Sequence, residues 1–238
     1  MKAFYPESFR IKHVFLDNFA LLKSEMDINQ QNYQNILIES QIFPPIQSIA
    51  YMVQSTNTLI EVHEHYQKRS FRNRYQIGSS QGRQELSIPL KKGKNHQMPI
   101  QEVQIAYDSN WQHNHIKAIQ SSYGKSAYFI YYIEFVRELL FTDCYNLLEL
   151  NFNSLKLISA LIQFQIPFQR TSSFQKNPEK EITDLRSMML PGTIHQFKNP
   201  AYYQVYTGNT GFLQQLSVLD LIFHLGPEAV FYLQQMKI

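Results

Sequence analysis

Four cations and no acid occupy the nine residues Tyr66-Gln67-Lys68-Arg69-Ser70-Phe71-Arg72-Asn73-Arg74, in a chain only 17% charged. They follow an apolar run that carries Glu61 and His63, Thr58-Leu59-Ile60-Glu61-Val62-His63. Drawn out as a strand, the segment places Lys68, Ser70, Arg72 and Arg74 on one face and Phe71, Asn73 and Tyr75 on the other. Cations on one face, two of them planar guanidinium forks, suit carboxylate or phosphate oxygens, which a fork grips through paired hydrogen bonds. The competing reading is a solvated edge strand whose charges discourage sheet-to-sheet pairing. Aromatics interleaved with cations from Tyr66 to Tyr75 also suit stacking on single-stranded bases.

Other chemistry-bearing residues carry weaker patterns. His63-x-His65 on a strand turns both imidazoles to one face with Glu61, as a metal pair requires, yet no distant fourth ligand is identifiable. His113 and His115 on a helix point about 200° apart and share no ligand. Glu61 and Glu64 stand at the carboxyl end of a predicted parallel strand, where α/β proteins place ligand contacts, or they simply pair with Lys68, Arg69 or Arg72. Asp220, three residues after Ser217, reads first as half of a capping box. Cys144 has no neighbouring base and reads as core packing. No Gly-x-Gly-x-x-Gly, Gly-x-Ser-x-Gly, paired Cys-x-x-Cys or phosphate-loop signature occurs, so no cofactor is named.

The elements that must position these residues follow from periodicity. Phe15, Phe19 and Leu22 fit a short amphipathic helix in residues 1–35, which end in a polar run, Asn29 to Asn35, that reads as a linker. From residue 36 the pattern is an α/β domain. Ile36 to Glu39 forms a strand, Pro44-Pro45 starts a helix through Val53, and Thr58 to His63 forms the next strand. Strand, short helix and strand make a parallel βαβ unit that opens a mixed sheet. A hairpin spans Arg74 to Leu90, with Gly78 to Gly82 as its turn, and Ile100 to Tyr107 alternates as a further strand. The C-terminal half is helix-rich: Trp111 to Ser122 behind caps at Asp108 to Asn110, Ala127 to Phe141, Tyr145 to Phe164, then a strand over Tyr202 to Tyr206 and a helix from Ser217.

Composition narrows the class. Hydrophobic residues at 44% and aromatics at 14% supply a real core, and a formal net charge of +3 is too small for a dedicated nucleic-acid binder. One cysteine precludes an intrachain disulfide and fits a reducing, cytoplasmic setting. No stretch approaches the roughly 20 apolar residues of a membrane span, and Glu7, Arg10 and Lys12 interrupt any signal-peptide core.

Several ordered motifs resemble the WbqC-like family from about Ile36 to the C-terminus. They are Glu39-x-Gln41-x-x-Pro44-Pro45-x-x-x-Ile49-Ala50-Tyr51, Ile60-Glu61-Val62-His63-Glu64-x-Tyr66-x-Lys68, Arg72-Asn73-Arg74 and Leu86-Ser87-Ile88-Pro89-Leu90-x-Lys92-Gly93. Trp111-x-x-x-His115, Ser121-x-Tyr123-Gly124, Tyr202-Tyr203-Gln204-Val205, Leu216-Ser217-x-x-Asp220-Leu221 and Gly226-Pro227 continue the match. Gln41 to Tyr51 with the following strand also resembles the Rossmann-like start of nucleotidylyltransferases. The family resemblance implies surface-polysaccharide (O-antigen type) biosynthesis, with a glycine, aminoacyl or sugar-modifying transferase role. On that reading an anionic donor, nucleotide-linked or acyl-activated, is held by Lys68, Arg72 and Arg74, with neutral hydrogen bonds from Gln41, Tyr66 and Asn73. Glu61 is the expected general base and His63 its catalytic neighbour. His63 departs from the small polar or acidic residue usual there, and Arg69 from Gln or Asp. The alternative is a noncatalytic module for a protein partner or single-stranded nucleic acid.

Overall fold

The computed structural model describes residues 33–91, 98–186, 188–194 and 197–238. The helix expected around Phe15 to Leu22 lies outside them. β1 (Tyr33–Glu39), α1 (Ile46–Val53) and β2 (Ser55–Glu61) form the expected parallel βαβ unit. β1 starts inside the run expected to be a linker, because Tyr33 and Asn35 pair with Ser55 and Asn57. The two strands run in register to their ends, with Glu39 beside Glu61. Ile36, Leu37, Ile38 and Ile60 are buried whichever side they face, as a parallel sheet covered on both sides demands.

Two three-residue strands complete this sheet, β5 (Phe168–Arg170) alongside β2 and β6 (Ile182–Asp184) alongside β1. The order is β5-β2-β1-β6, all parallel. The antiparallel component is confined to a separate hairpin, β3 (Arg74–Ser79) with β4 (Gly82–Ser87). Its turn is tighter than the glycine spacing implies, because Gly82 at φ 106° closes it directly after Gln81. β4 therefore ends before Pro89.

Helices α2 (Trp111–Tyr123), α3 (Phe129–Phe141) and α4 (Leu147–Leu161) pack in succession, and β3 rests on α2. A short α5 (Thr207–Thr210) precedes α6 (Val218–Leu225) and α7 (Ala229–Gln235), both of which contact α1. Asn110 makes no side-chain cap on α2, whereas Asn146 caps α4 by accepting from the Glu149 N–H.

Three sequence expectations about these elements change. Residues 66–73 form no strand, with turns and bends from Lys68 to Asn73, and β3 begins only at Arg74. The alternating run from Ile100 becomes a 3-10 turn (Ile100–Glu102), with Ile105 bridging Leu90 and Gln104 bridging Asn146. Its buried residues, Ile100, Val103 and Ile105, contribute to the core without a ladder. Tyr202 to Tyr206 is irregular because its polar groups bond to side chains: Gln204 donates to Asp220 and Val205 N–H to His224 Nε2. Cys144 lies between α3 and α4, buried as expected.

Asp220 is not spent on the helix cap either. Ser217 alone caps α6 by accepting from Leu219 N–H. The Asp220 carboxylate instead gathers Tyr202 Oη and Gln204 Nε2, fully buried. Burial raises its pKa against these donors, which favour the charged form. It ties the 202–204 segment to α6 where no secondary structure does. Asp220→Ala strands these donors in the core and should lower unfolding free energy by about 3 kcal/mol in a denaturant titration. A change below about 0.5 kcal/mol, the size of an ordinary surface substitution, contradicts this role.

Candidate functional site

Carboxylates meet where the central strands end. The aliphatic runs Ile36-Leu37-Ile38 and Leu59-Ile60 each finish in a glutamate, and the parallel register sets Glu39 and Glu61 side by side. Both are fully buried. They differ in how their charge is met.

Glu61 is saturated. Its Oε1 accepts from His63 N–H at 2.8 Å and Thr171 Oγ1 at 2.9 Å, and its Oε2 from Arg186 Nη1 at 3.2 Å. Thr171 follows β5 and Arg186 lies two residues past β6, so both edges of the sheet contribute to the charge at its centre. Arg186 also binds Asp184 through Nε (3.0 Å) and Nη2 (2.7 Å), and Nη2 donates to the Gln175 carbonyl at 2.9 Å. Asp184 is thereby held below the usual carboxylate range, its bonds to Arg186 outweighing the opposing desolvation.

Glu39 is not saturated. Its Oε1 accepts from Gln41 Nε2 at 2.8 Å, and its Oε2 has no partner among the described residues. Desolvation pushes its pKa to about 7, against the attraction of Arg72 and the Gln41 hydrogen bond. A carboxyl group titrating near neutrality, with one oxygen free, can take or give a proton.

Arg72 is the cation nearest to it in effect. Arg72 is 1% exposed, and its guanidinium engages Glu64 in a fork, Nε to Oε1 at 2.8 Å and Nη2 to Oε2 at 2.5 Å. Burial raises the Glu64 pKa in spite of this pair. Arg72 Nη1 has no partner among the described residues. Asn151 on α4 closes the cluster, donating to Ser40 Oγ (3.3 Å) and to the Arg72 carbonyl (2.9 Å), with Oδ1 unpaired.

The expected cationic face does not form. Residues 66–73 turn, so Phe71 and Arg72 are both buried instead of alternating. Lys68 and Arg69 are exposed on the loop, the latter at φ 56°. Arg74 pairs across the hairpin with Glu85 at 2.6 Å, both side chains about one-third exposed (32% and 39%). Tyr66 donates to Asn73 Oδ1 at 2.8 Å, and Asn73 Nδ2 donates to the Ile88 carbonyl at 2.8 Å, so both brace the loop against β4. Tyr66, Phe71 and Tyr75 are buried and present no ring face for base stacking. His63 is exposed, with Nε2 at 3.1 Å from the Thr171 carbonyl and Nδ1 at 3.4 Å from Gln101 Nε2, so neither ring nitrogen is free.

The cluster thus retains Gln41, Glu61, Glu64 and Arg72 from the sequence reading, Glu64 in the ion pair with Arg72 that was one of its two readings, and adds Glu39, Asn151 and Arg186. A second glutamate ending a second aliphatic strand was the available signal for Glu39. Asn151, among Leu148, Leu150, Phe152 and Leu155, was visible only as a polar residue in an apolar helix.

The WbqC-like family model matches residues 39–192, nearly two-thirds of the chain. The chain belongs to the WbqC-like family. The matched span opens on Glu39 and encloses all of the cluster: Gln41, Glu61, Glu64, Arg72, Asn151 and Arg186. No curated protein and no solved structure matches the chain.

Two stability measurements separate the arginines. Arg72→Lys breaks a buried two-point pair and should cost about 2 kcal/mol or more, whereas Arg74→Lys should stay within about 0.5 kcal/mol. Equal effects would contradict the geometry. Glu39 predicts a pH signature. Because its folded pKa lies above the unfolded value, the folded state binds the extra proton between about pH 4.5 and 7. Stability therefore falls as pH rises through that window. Glu39→Gln should remove the fall and stabilise the protein at pH 8 relative to wild type, by on the order of 3 kcal/mol, with no such gain at pH 4. Parallel stability curves for the two proteins would refute the assignment.

Proposed function

We propose that this WbqC-like protein is a transferase of surface-polysaccharide (O-antigen type) biosynthesis, moving an aminoacyl or sugar-derived group from an activated donor to a hydroxyl or amine. The observation that supports this reading is that Glu39 Oε2 and Arg72 Nη1 are both buried and both without a partner among the described residues, on two side chains whose charges act on each other. Group transfer to a hydroxyl or amine needs a base for the nucleophile's proton and a cation for the charge that develops on the leaving group. Glu39 fills the first role better than Glu61, whose oxygens are already committed to three donors. The nucleophile's proton passes to Glu39 Oε2 as its lone pair forms the new bond to the donor's electrophilic carbon. The bond to the leaving group breaks with its electron pair, and Arg72 Nη1 donates to the charge that results.

The donor's anionic part is assigned to the exposed rim of the loop, where Lys68 and Arg69 stand, because Arg74 is committed to Glu85. Gln41 holds the Glu39 carboxyl in orientation through Oε1 and leaves Oε2 free. Glu61 and Arg186 fix the neighbouring strand end. The Glu64 fork sets the Arg72 guanidinium.

The test is compositional analysis of surface polysaccharide from cells in which the gene is deleted and then restored as wild type or as Glu39→Gln. Restoration by wild type and failure by a stably accumulated Glu39→Gln protein is the expected result, corresponding to a rate loss of about 10²-fold or more. In extracts that support transfer, the rate should rise with pH through about 7, as Glu39 loses its proton. An unchanged polysaccharide in the deletion strain, or full rescue by Glu39→Gln, overturns the proposal.

A further inference from the structure

β5 and β6 lie on opposite edges of an all-parallel sheet and are joined by residues 171–181. The chain therefore leaves the carboxyl end of β5, passes two strands and returns to the amino end of β6. Polar contacts hold the first half of this connection at the carboxyl end. Thr171 N–H bonds the Ile60 carbonyl at 3.0 Å, and its Oγ1 donates to Glu61 at 2.9 Å. Four residues on, the Gln175 carbonyl accepts from Arg186 Nη2 at 2.9 Å, and the Arg186 guanidinium carbon lies 5.5 Å from the centre of the Phe174 ring. Arg186 follows β6, where Leu185 N–H still bonds the Leu37 carbonyl of β1. Its side chain reaches Glu61 on β2, and β1, which ends in Glu39, lies between those two strands.

This connection is lightly fastened. Residues 172–177 are exposed, and among the described residues the Gln175 carbonyl is the one group between Ser172 and Pro178 with a hydrogen bond. The neighbouring segments are held far more firmly. Asn151 belongs to the buried face of α4, and the 66–73 loop is pinned by the Phe71 carbonyl on Ile42 N–H and by the fork of Arg72 on Glu64. Segments with few buried contacts open at the lowest free-energy cost. Glu39 is fully buried, so a reactant reaches its carboxyl group only when part of the covering moves.

Building on the proposed transfer site, we infer that residues 172–181 are a strap across the carboxyl end of the sheet, latched by Arg186, that opens to admit reactants. The latch breaks at small cost. Arg186 keeps its bonds to Glu61 and Asp184 when the strap leaves, so opening loses one hydrogen bond and one ring contact and takes no cation from either carboxylate. Arg186 is a positioning residue in this scheme. Its guanidinium serves Glu61, Asp184 twice and the Gln175 carbonyl, four bonds where an ammonium has three donors.

Carboxyl labelling of the full chain with a water-soluble carbodiimide and glycinamide, mapped by peptide mass spectrometry, tests the strap at about pH 6, where Glu39 holds its proton. Asp220, buried outside the cluster, is the internal reference for general loosening of the fold. Phe174→Ala removes the ring from the latch and leaves the Glu61 and Asp184 bonds of Arg186 in place. It should speed labelling of Glu39 about threefold, the worth of an exposed cation–π contact, with the Asp220 rate unchanged. Arg186→Lys, which keeps the charge and loses the fork, should speed it further. An unaltered Glu39 rate in both variants, or an equal rise at Asp220, overturns the strap. Labelling requires no donor, so either result leaves polysaccharide rescue by Glu39→Gln to judge the transfer reading by itself.

Discussion

Desolvated charge at the carboxyl ends of β1 and β2 is the constraint around which the central structure is arranged. Two glutamates on neighbouring parallel strands occupy one buried layer, and removing a carboxylate from water costs several kcal/mol unless donors replace the solvent. The protein brings those donors from far along the chain. Thr171 and Arg186 arrive by way of β5 and β6, strands of only three residues whose ladders are too short to account for their placement alone. The sheet's edges are short, and the polar bonds beyond them anchor the connecting segment.

That compensation is uneven, and the proposed transfer chemistry rests on the unevenness. Glu61 receives three donors and becomes part of the scaffold. Glu39 receives one, keeps a free oxygen, and is pushed into the neutral range by burial. Arg72 stands between scaffold and chemistry: two of its nitrogens lock Glu64, and the third is unspent. A folded protein retains unpaired buried polar atoms at a cost in stability. Asp220, a buried carboxylate outside the cluster, shows the contrasting case. It binds Tyr202 and Gln204 and holds irregular chain in place of secondary structure.

Much of this was legible in the residues. The opening βαβ unit followed from apolar runs and a proline pair, and the segment after β2 contributes Arg72 to the cluster. Arg72 was drawn from it, but by the wrong geometry. Period-2 alternation assumed a strand, whereas Arg69 takes a left-handed conformation and the loop folds Arg72 inward onto Glu64. Alternation cannot reveal that, because the loop's course is set by contacts such as Tyr66 with Asn73 and Phe71 carbonyl with Ile42 N–H. Asn151 and Arg186 come from positions about 80 and 115 residues after Arg72, and only the folded chain brings them to it. Tyr202 to Tyr206 failed as a strand for a related reason: its polar groups found Asp220 and His224 rather than a ladder.

The account rests on Glu39 holding a proton near neutral pH in the folded protein. Infrared difference spectroscopy of wild type against Glu39→Gln reads that proton through the carbonyl stretch of the neutral carboxyl group. A band lost in the variant, present at pH 5 and titrating away with a midpoint of about 7, is the predicted result. A midpoint in the ordinary carboxylate range, about 4 to 5, would show that Glu39 is compensated by groups other than those described, and would contradict the account.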